Sequence, residues 1–480
     1  NNTSRVKRNA EIIFSFSEPL DPQTLSVNTE DTECSGTIQI STNDFKRCVR
    51  MNPFELNDNF KKIILSPVGI YAAQKFHSFR LNSKIKNING VPLRKEITGK
   101  PGFQTSWSKQ IGTAGNDTGF AAIVDLEGNI YLAGQTIAGE SGEEKDLFLA
   151  KYSQDGFQHW IQQAGFGRPV TSVVLQLKEA DQIRLSAYSK EEHRSAVILA
   201  DFNVDGGEIF SKIYDFPGTT LGYGLTMDKD GHIFIPAATP FNILKIRKGG
   251  EKSWGTELSK RLNIRALATD TENGLYISGN IEQSLDEKKS KGATDIFLLK
   301  ISQQGPKLWK KSFGTEFDES GTALATKDAE AVAVVGYLSQ KMRNANDETE
   351  KYDAFVENYN SAGKKKWSHI LKGINSEQST VAKWTPRGDL LVGGFTNSSL
   401  EDQLHSGKED VFLAKYNPEG VLLWLRQFGT PENERPFAIA IGRSGQIYIT
   451  GYTEGQMDGA KYSGGRDIFL VQFNKDGEKL

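Results

Sequence analysis

Apolar residues along this chain form short runs, separated by polar turns that contain glycine. The clearest runs are DLFLAKY (146–152), DIFLLKI (295–301) and DIFLVQF (467–473). A strand with one face in water alternates polar and apolar residues, whereas a strand buried on both faces becomes a nearly continuous apolar run. Runs rich in small residues, GFAAIV (119–124) and FAIAIG (437–442), indicate crowded inner strands. The pattern predicts an all-β protein in which sheets pack face to face.

One unit of about 50 residues recurs along most of the chain. EKDLFLAKYSQDGFQHW begins at Glu144, and KEDVFLAKYNPEGVLLW begins at Lys408. Each unit contains four strand-like segments, labelled a to d from the inner to the outer strand, and a tryptophan on strand d; Phe210 fills one gap in that series. The recurring tryptophans are Trp107, Trp160, Trp254, Trp309, Trp367 and Trp424. This period is typical of propeller blades.

Glycines recur in two turns of the unit. Tight hairpins need a positive φ, which glycine adopts without a Cβ clash. The a–b turns contain Gly128, Gly231 and Gly445, and the c–d turns contain Gly156, Gly305, Gly363, Gly420 and Gly477.

The two ends of the repeat predict how the sheets close into a ring. A d-type strand at about 103–112, with Trp107, has no a, b or c strand before it. The last unit has strands a, b and c and stops at KDGEKL. Together they make one blade, which gives seven blades closed by pairing of the early outer strand with the C-terminal blade. Closure of this kind removes free sheet edges.

The repeated pattern D-x-F-L-x-K-Y…G…W…F-G-T…G-x-I-Y-x-x-G-x-T resembles the SBBP family of bacterial seven-bladed β-propeller repeats. The resemblance covers residues 103–480. Five units keep the aspartate that opens strand c, whereas the second and third units, AVILADF and FNILKI, lack it. These aspartates are Asp146, Asp295, Asp353, Asp410 and Asp467.

Residues 1–95 do not join the repeat. Short strand-like segments and FSFSEPLDPQTL (14–25), followed by a later INGVPL, resemble the bacterial Ig-like domain of the SbsA type. The resemblance implies an N-terminal β-sandwich. Residues 96–102 are then the linker to a propeller at 103–480.

The two cysteines, Cys34 and Cys48, bracket a segment that we interpret as a hairpin turning near Ser41. The two side chains would then face each other, and we predict a disulfide. The alternative is two free, half-buried thiols in a cytosolic protein. A disulfide would indicate an oxidising compartment.

Charge and hydropathy exclude some functions. Lys plus Arg (58) nearly balances Asp plus Glu (60), and no basic run is present, so nucleic acid is not an expected partner. The sequence contains no run of 18 apolar residues, so it predicts no transmembrane helix. The chain begins at Asn1 rather than Met, which is compatible with a removed leader or with a trimmed chain.

Motifs for catalysis are not found, and we predict no catalytic, cofactor-binding or metal-binding residues. The six histidines have no metal-ligand spacing. Asp228 and Asp230, before Gly231, suggest calcium, but this a–b turn needs Asp and Gly for its own geometry. We expect the strand-c aspartates to accept backbone hydrogen bonds from a neighbouring loop. The tryptophans are expected to pack between blades, and Trp384, the one candidate for sugar stacking, is expected in the core.

Two features suggest binding surfaces. Arg387-Gly388-Asp389 is the sequence of the integrin-binding tripeptide and should be exposed at an a–b hairpin tip; the alternative is a chance match, since the turn itself needs glycine. The polar b–c connections at 280–294, 338–352 and 396–409 should emerge on one face. Loops on a rigid scaffold commonly carry binding.

Two functions remain open at this stage. The first is an exported bacterial protein, secreted or at the cell surface or outer membrane, which binds a protein or glycan as a non-enzymatic adhesin-like module. A lipid anchor on a removed leader and a monomeric state fit this hypothesis. The alternative is a propeller enzyme, acting on glycans or as a quinoprotein-like oxidoreductase. Fold analogy alone does not decide between them.

Overall fold

The computed structural model describes residues 4–6, 11–30, 32–68, 76–105, 108–138, 144–164, 167–178, 181–191, 194–217, 224–237, 242–258, 262–282, 294–315, 317–340 and 351–480. The chain divides into two compact units, Asn1–Ser108 with Lys479–Leu480, and Lys109–Glu478. In the described part of the chain, no helix is long and apolar enough to cross a membrane.

The N-terminal unit consists of two sheets around one core. Its elements are β1 (Ser4–Val6), β2 (Ile12–Ser15), a 3-10 helix (Pro22–Thr24), β3 (Ile38–Ser41), β4 (Glu55–Asn57), β5 (Lys62–Leu65), β6 (Phe76–Leu81) and β7 (Ile97–Thr105). One sheet has the strand order β1-β7-β6-β3 and the other β2-β5-β4. Ile38 and Leu81 from the first sheet and Ile63 and Leu65 from the second belong to the same buried cluster. The two sheets therefore share one hydrophobic core.

The predicted linker at 96–102 is wrong. All of that segment except Glu96 lies in β7, where Ile97, Thr98 and Gly99 pair antiparallel with β6; β7 also pairs in parallel with β1, farther along at Gln104 and Thr105. Residues 103–105, predicted to start the closing propeller strand, also belong to β7. The glycines and proline of this segment suggested a linker, but long-range strand pairing overrides that local preference.

The predicted disulfide between Cys34 and Cys48 is confirmed. The hairpin expected between them is only partly formed. β3 pairs along its length with β6, and a backbone hydrogen bond of 2.7 Å from Val49 to Ile40 joins it to the returning chain.

The second unit begins with β8 (Ser108–Ile111) and continues as successive four-stranded sheets. Sheet 1 contains β9 (Thr118–Val124), β10 (Ile130–Ala138), β11 (Glu144–Tyr152) and β12 (Gln158–Ala164). Sheet 2 contains β13 (Val170–Lys178), β14 (Gln182–Lys190), β15 (Arg194–Asn203) and β16 (Glu208–Pro217). Sheet 3 contains β17 (Thr226–Met227), β18 (Ile233–Pro236), β19 (Ile243–Ile246) and β20 (Lys252–Thr256).

The remaining sheets repeat the arrangement. Sheet 4 contains β21 (Leu262–Thr269), β22 (Leu275–Glu282), β23 (Thr294–Ile301) and β24 (Lys307–Phe313). Sheet 5 contains β25 (Glu319–Lys327), β26 (Ala331–Gln340), β27 (Lys351–Asn360) and β28 (Lys365–Leu371). Sheet 6 contains β29 (Glu377–Trp384), β30 (Leu390–Thr396), β31 (Asp410–Tyr416) and β32 (Leu422–Phe428). Sheet 7 contains β33 (Glu434–Ile441), β34 (Ile447–Thr453), β35 (Asp467–Phe473) and, as its outer strand, β8; a 3-10 helix covers Met457–Gly459.

Neighbouring sheets contact each other through their strands a. β9 contacts both β13 and β33, and contacts also join β17 to β21, β21 to β25, β25 to β29 and β29 to β33. Sheets 2 and 3 are joined by a hydrogen bond of 2.9 Å from Arg184 Nη1 to the Lys248 carbonyl. The predicted pairing of an early strand with the C-terminal unit is found, since β8 lies beside β35. Gln110 Nε2 of β8 donates to Asp467 Oδ2 at 2.8 Å.

The apolar runs are buried as the pattern predicts. Every residue of β35 is buried, and the cluster between sheets 6 and 7 joins residues of both, such as Leu391 and Phe469. Trp384 is also in the core, as expected, and its indole donates to the Ala325 carbonyl at 3.1 Å.

The recurring tryptophan and glycine are two halves of one contact between consecutive sheets. The Trp367 indole donates to the Pro418 carbonyl at 2.9 Å, and a methyl group at Gly420 would lie 2.5 Å from Trp367 Cδ2. The same contact joins Trp160 to Gly206, Trp254 to Gly305, Trp309 to Gly363 and Trp424 to Gly477. Trp107 lies outside the described residues. These tryptophans therefore pack between sheets, as predicted.

Phe210 does not replace the missing tryptophan. It occupies the corresponding register opposite Asp201, but its side chain is exposed. Tyr214, four residues later, packs against Gly250 instead, and its hydroxyl donates to the Gly249 carbonyl.

Candidate ligand-binding site

The a–b turns of sheets 1, 3 and 4 are each held by an aspartate at their first position. Asp125 Oδ1 accepts the backbone N–H of Glu127 at 3.0 Å and that of Asn129 at 2.8 Å. Asp228 and Asp270 accept the equivalent two N–H groups in their own turns. A side-chain acceptor of this kind satisfies turn donors that otherwise need another partner.

A lysine on strand c pairs with two of these turn carboxylates. Lys300 Nζ lies 3.1 Å from Asp270 Oδ2, and Lys245 Nζ lies 3.6 Å from Asp228 Oδ2. Both carboxylates are fully buried. Lys300 of the F-L-x-K motif and Lys245 at the equivalent position of FNILKI are thus partners of an acid in the a–b turn, a relationship that the sequence did not predict.

Asp228, Asp230 and His232 form a cluster whose ligand atoms lie within 4.8 Å of one another. His232 Nδ1 lies 3.0 Å from Asp228 Oδ2, and Asn273 Nδ2 donates to Asp230 Oδ2 at 2.6 Å. Because Lys245 already supplies a positive charge to Asp228, we interpret the cluster as part of the turn.

The Arg387-Gly388-Asp389 tripeptide lies in the a–b turn of sheet 6, but the expectation that it is exposed is wrong for two of its residues. Gly388 is buried with φ +90°, and only Arg387 is exposed. Asp389 is half-buried, its N–H donates to Thr385 Oγ1 at 3.0 Å, and its carboxylate lies 2.9 Å from Lys415 Nζ. The carboxylate is therefore part of an ion pair.

The a–b turn of sheet 7, residues 442–446, lacks the acidic cap. Its backbone follows the same path, since Gly442 N–H donates to the Gln446 carbonyl at 2.8 Å and Gly445 has φ +89°. Gly442 stands where Asp125 and Asp228 stand in their turns. The N–H groups of Ser444 and Gln446, at the two positions that those carboxylates bind, have no acceptor among the described residues.

Two clefts meet at this turn, and both include Gly442, Arg443 and Ser444 in their lining. The first has a volume of about 160 Å³ and lies between the turns of sheets 6 and 7, with Lys415 and Lys475 also lining it. The second, about 240 Å³, lies between the turns of sheets 7 and 1. The turn is thus a ridge between two adjacent depressions.

The first cleft is positively charged. Two of its four cationic side chains are paired: Lys415 with Asp389 at 2.9 Å and Lys475 with Asp476 at 3.1 Å. The other two cations are Arg387 and Arg443, which are exposed and have no ion-pair partner within the described ranges. Guanidinium groups bind carboxylates, phosphates and sulfates in bidentate geometry.

The strand-c aspartates lie at the opposite ends of the strands. Asp410 Oδ2 accepts the backbone N–H of Ser406 in the preceding b–c loop at 2.7 Å, as expected, and Gln427 Nε2 of the same sheet at 2.9 Å, so neither bond joins one sheet to the next. Asp467 is bound in the same way by Ser463 N–H and Gln110. Asp353 lies 3.6 Å from Lys372 Nζ, Asp295 is buried, and Asp146 is half-buried.

A second acid from the next sheet faces several of these aspartates across a glycine. A methyl group at Gly429 would collide with both Asp410 Oδ1 and Glu434 Oε2. Burial raises the pKa of Glu434, hydrogen bonds from Thr430 and Thr453 oppose this effect, and the Asp410 charge adds to it. Asp295 with Glu319 and Asp467 with Asp117 flank Gly314 and Gly112 in the same manner. All six acids of these pairs are buried.

The b–c connections, on which the sequence predicts binding, include residues 283–293 and 341–350, which lie outside the described residues. The turn at residues 442–446 is not among the predicted binding sites. Alignment of the turns DLEGN (125–129), DKDGH (228–232) and GRSGQ (442–446) contains the information, since only the last turn begins with glycine.

Comparison with known proteins agrees with the repeat. The family model "Beta-propeller repeat", SBBP, matches residues 106–139. The regulatory protein FlaEY of Caulobacter vibrioides is 27% identical over 214 residues, which are 40% of this chain and 22% of FlaEY. The match thus spans about a fifth of that relative. The repeat match and the succession of four-stranded sheets identify the second unit as a β-propeller.

Solved structures with low similarity include three proteins. Virginiamycin B lyase from Staphylococcus aureus has 12% identity and a TM-score of 0.43, over 76% of this chain and 98% of the lyase. The α-L-arabinofuranosidase Arb93A from Fusarium graminearum has 8% identity and a TM-score of 0.40, with the same coverages. Sqt1 from Chaetomium thermophilum has 9% identity and a TM-score of 0.44, over 77% and 100%.

Proposed function

We propose that this protein is an exported bacterial binding protein, secreted or held at the cell surface, which recognises a protein or glycan without catalysing a reaction. The observation that carries the proposal is the pair of adjacent clefts that meet at residues 442–446, with two arginines free of ion pairs at the first cleft. The Cys34–Cys48 disulfide supports export, because disulfides persist mainly in oxidising compartments.

The proposal includes the architecture of both units. The unbroken series of contacts from sheet to sheet, with β8 completing sheet 7, supports one closed, seven-bladed propeller in the described part of the second unit. The two sheets around a shared core in the first unit support an Ig-like β-sandwich of the SbsA type. A rigid ring that presents turns on its face is a suitable scaffold for binding.

The acidic side chains that line the clefts favour binding over catalysis, because those of the first cleft are in ion pairs and the second cleft has a single acid among its lining residues. A glycosidase needs two carboxyl groups about 5–10 Å apart with access to the substrate. In the first cleft, Asp389 is paired with Lys415 and Asp476 with Lys475. The second cleft has Glu127 as its acid. The alternative, a propeller enzyme acting on glycans or as a quinoprotein-like oxidoreductase, would need a different group of residues from those described.

The proposal also gives the tripeptide a different role from integrin binding. Arg387 lines the first cleft, and Asp389 holds Lys415 in the cleft wall. On this hypothesis the tripeptide contributes charge to a cleft rather than an exposed motif for a receptor.

The test is an array of matrix proteins and glycans probed with the full chain and two variants. Arg443→Ser removes a charge from both clefts. Lys366→Ser removes the same charge from the exposed outer strand of sheet 5, which lines neither cleft. We expect saturable binding that Arg443→Ser weakens at least tenfold and Lys366→Ser leaves unchanged. Binding that both variants retain would place recognition elsewhere, and catalytic turnover of an array component would overturn the non-enzymatic proposal.

A further inference from the structure

We propose that the turn at residues 442–446 binds the anionic group of a ring-shaped ligand, with a carboxylate, phosphate or sulfate oxygen accepting the N–H groups of Ser444 and Gln446. This inference rests on the proposed function for its choice of site and deepens it by naming the ligand's chemistry. Three independent observations support it, namely the turn's missing acceptor, the charge of the cleft and its volume.

Two other a–b turns of this chain show how an anionic oxygen binds to a turn of this kind. In the turn of sheet 1, one carboxylate oxygen of Asp125 accepts two N–H groups, at 3.0 and 2.8 Å. In sheet 3, one oxygen of Asp228 does the same at 3.1 and 2.8 Å. The turn of sheet 7 has the same backbone hydrogen bonds and a glycine in place of the acid. An oxygen from outside the chain can therefore occupy the position that an aspartate oxygen fills elsewhere, provided that the flexible Gln446 amide, whose Oε1 lies 2.9 Å from the place of a Cβ at Gly442, moves aside.

The charges at the first cleft favour an anion over a neutral ligand. Arg443 and Ser444 line both clefts, whereas Arg387 lines only the first cleft and Gln446 only the second; no described carboxylate pairs with either arginine. An oxyanion bound at the shared turn by backbone N–H groups gains further stabilisation from the guanidinium group of Arg443. The neighbouring acid Asp389 is held by the half-buried Lys415, whereas the pair of Asp476 with Lys475 is exposed and correspondingly weak.

The volume and the walls of the cleft fit a single ring. The cleft measures about 160 Å³, close to the ~150 Å³ of an engineered cavity that holds benzene. Pro386, Ile441 and Ile447 supply apolar wall, against which a sugar ring can place its C–H face. A uronic acid residue and a phosphorylated or sulfated sugar share this chemistry, with one anionic group on one ring.

The experiment measures binding of D-glucuronate, glucose 6-phosphate, glucose 6-sulfate and neutral D-glucose to the full chain by calorimetry. We expect at least one anionic sugar to bind at least tenfold more tightly than glucose, with affinity falling as salt rises. Comparison of the anions distinguishes a uronic acid from a phosphorylated or a sulfated sugar. Equal binding of glucose and the anions, or binding of none of these sugars, would overturn the inference.

Gly442→Asp is the decisive variant, because it supplies the missing carboxylate from within the chain. The backbone at Gly442 is outside the left-handed region, and the new Cβ would meet the flexible end of Gln446 at 2.9 Å, so the substitution is sterically feasible. We expect Gly442→Asp to reduce anion binding at least tenfold while raising Tm. Gly442→Ala, which adds the Cβ without the acceptor, should bind within threefold of the natural chain.

The outcomes separate this inference from the proposed function. Anion binding that survives in Gly442→Asp contradicts the inference, whatever the array shows. Loss of anion binding in Gly442→Ala as well as Gly442→Asp would also contradict it, because the effect would then come from space rather than charge. An array without any ligand, combined with anion binding that Gly442→Asp abolishes, would refute the proposed macromolecular recognition and leave the anion site standing.

Discussion

The contact between Trp367 and Gly420 predicts a large, local cost for one added methyl group. In Gly420→Ala, the new Cβ would lie 2.5 Å from Trp367 Cδ2, whereas carbon atoms in favourable contact are about 3.5–4.0 Å apart. The indole must therefore move by about 1 Å, which puts its hydrogen bond to the Pro418 carbonyl at risk. Overpacking of this kind costs about 1–3 kcal/mol.

The backbone adds a second, separable cost. Gly420 has φ +86°, a region in which an L-residue loses roughly 1–2 kcal/mol. The sum for Gly420→Ala is thus about 2–5 kcal/mol. Gly128 is a matched control, since its φ is +90° and its nearest neighbour is the flexible end of Gln154 at 3.3 Å. Gly128→Ala should therefore show the backbone cost alone.

Urea unfolding followed by far-UV circular dichroism and tryptophan fluorescence measures both variants against the natural chain. We expect the propeller transition of Gly420→Ala to move to lower urea by about 1–3 kcal/mol more than that of Gly128→Ala, with unchanged m-value. Equal costs for the two variants would refute the argument that the indole and the glycine form one close contact between sheets.

Three further predictions concern buried charge, the disulfide and pH. Lys300→Met leaves the fully buried Asp270 carboxylate without its cation and should cost about 3–5 kcal/mol in urea unfolding; a loss below 1 kcal/mol would contradict the pairing. Replacing Cys34 and Cys48 by alanine opens a loop closed over a separation of 14 residues and should cost about 3 kcal/mol, seen as a lower Tm of the N-terminal transition alone. Because the pKa of Glu434 is raised, its contribution to stability is present below its ordinary pKa and is lost as pH rises through the raised value. Glu434→Gln should therefore raise Tm more, or lower it less, at pH 8 than at pH 5. An equal change in Tm at both pH values would disprove the raised pKa.

Much of the propeller could be predicted from sequence because its rules are local. The run DIFLVQF is apolar at nearly every position because β35 is buried on both faces, and Gly420 is required by a positive φ. The period of the tryptophans follows from one contact per sheet. Patterns of this kind repeat, so each unit supports the interpretation of the others.

What the sequence analysis missed depends on contacts between distant segments or on an absent side chain. The strand at Ile97–Thr105 resembles a linker until its pairing with β1 and β6 is known. Tyr214 replaces a tryptophan from a position four residues away from Phe210, so alignment to the repeat selects the wrong aromatic residue. At Gly442 the sequence shows a glycine at the first position of the turn, but its meaning depends on knowing that the aspartates at this position in other turns accept two backbone N–H groups.

The outer strand of sheet 7 has a consequence for the order in which the ring forms. Gln110 on β8 binds the Gly455 carbonyl, 345 residues later in the chain, at 2.9 Å. The chain must lose the conformational entropy of closing this loop before the strand pairing contributes any stabilising free energy. Non-local pairing of this kind slows folding. During synthesis, sheets 1 to 6 can form as their strands emerge, while β8 keeps an unpaired edge until β35 has left the ribosome. A nascent chain of this protein therefore needs protection of that edge for most of its synthesis.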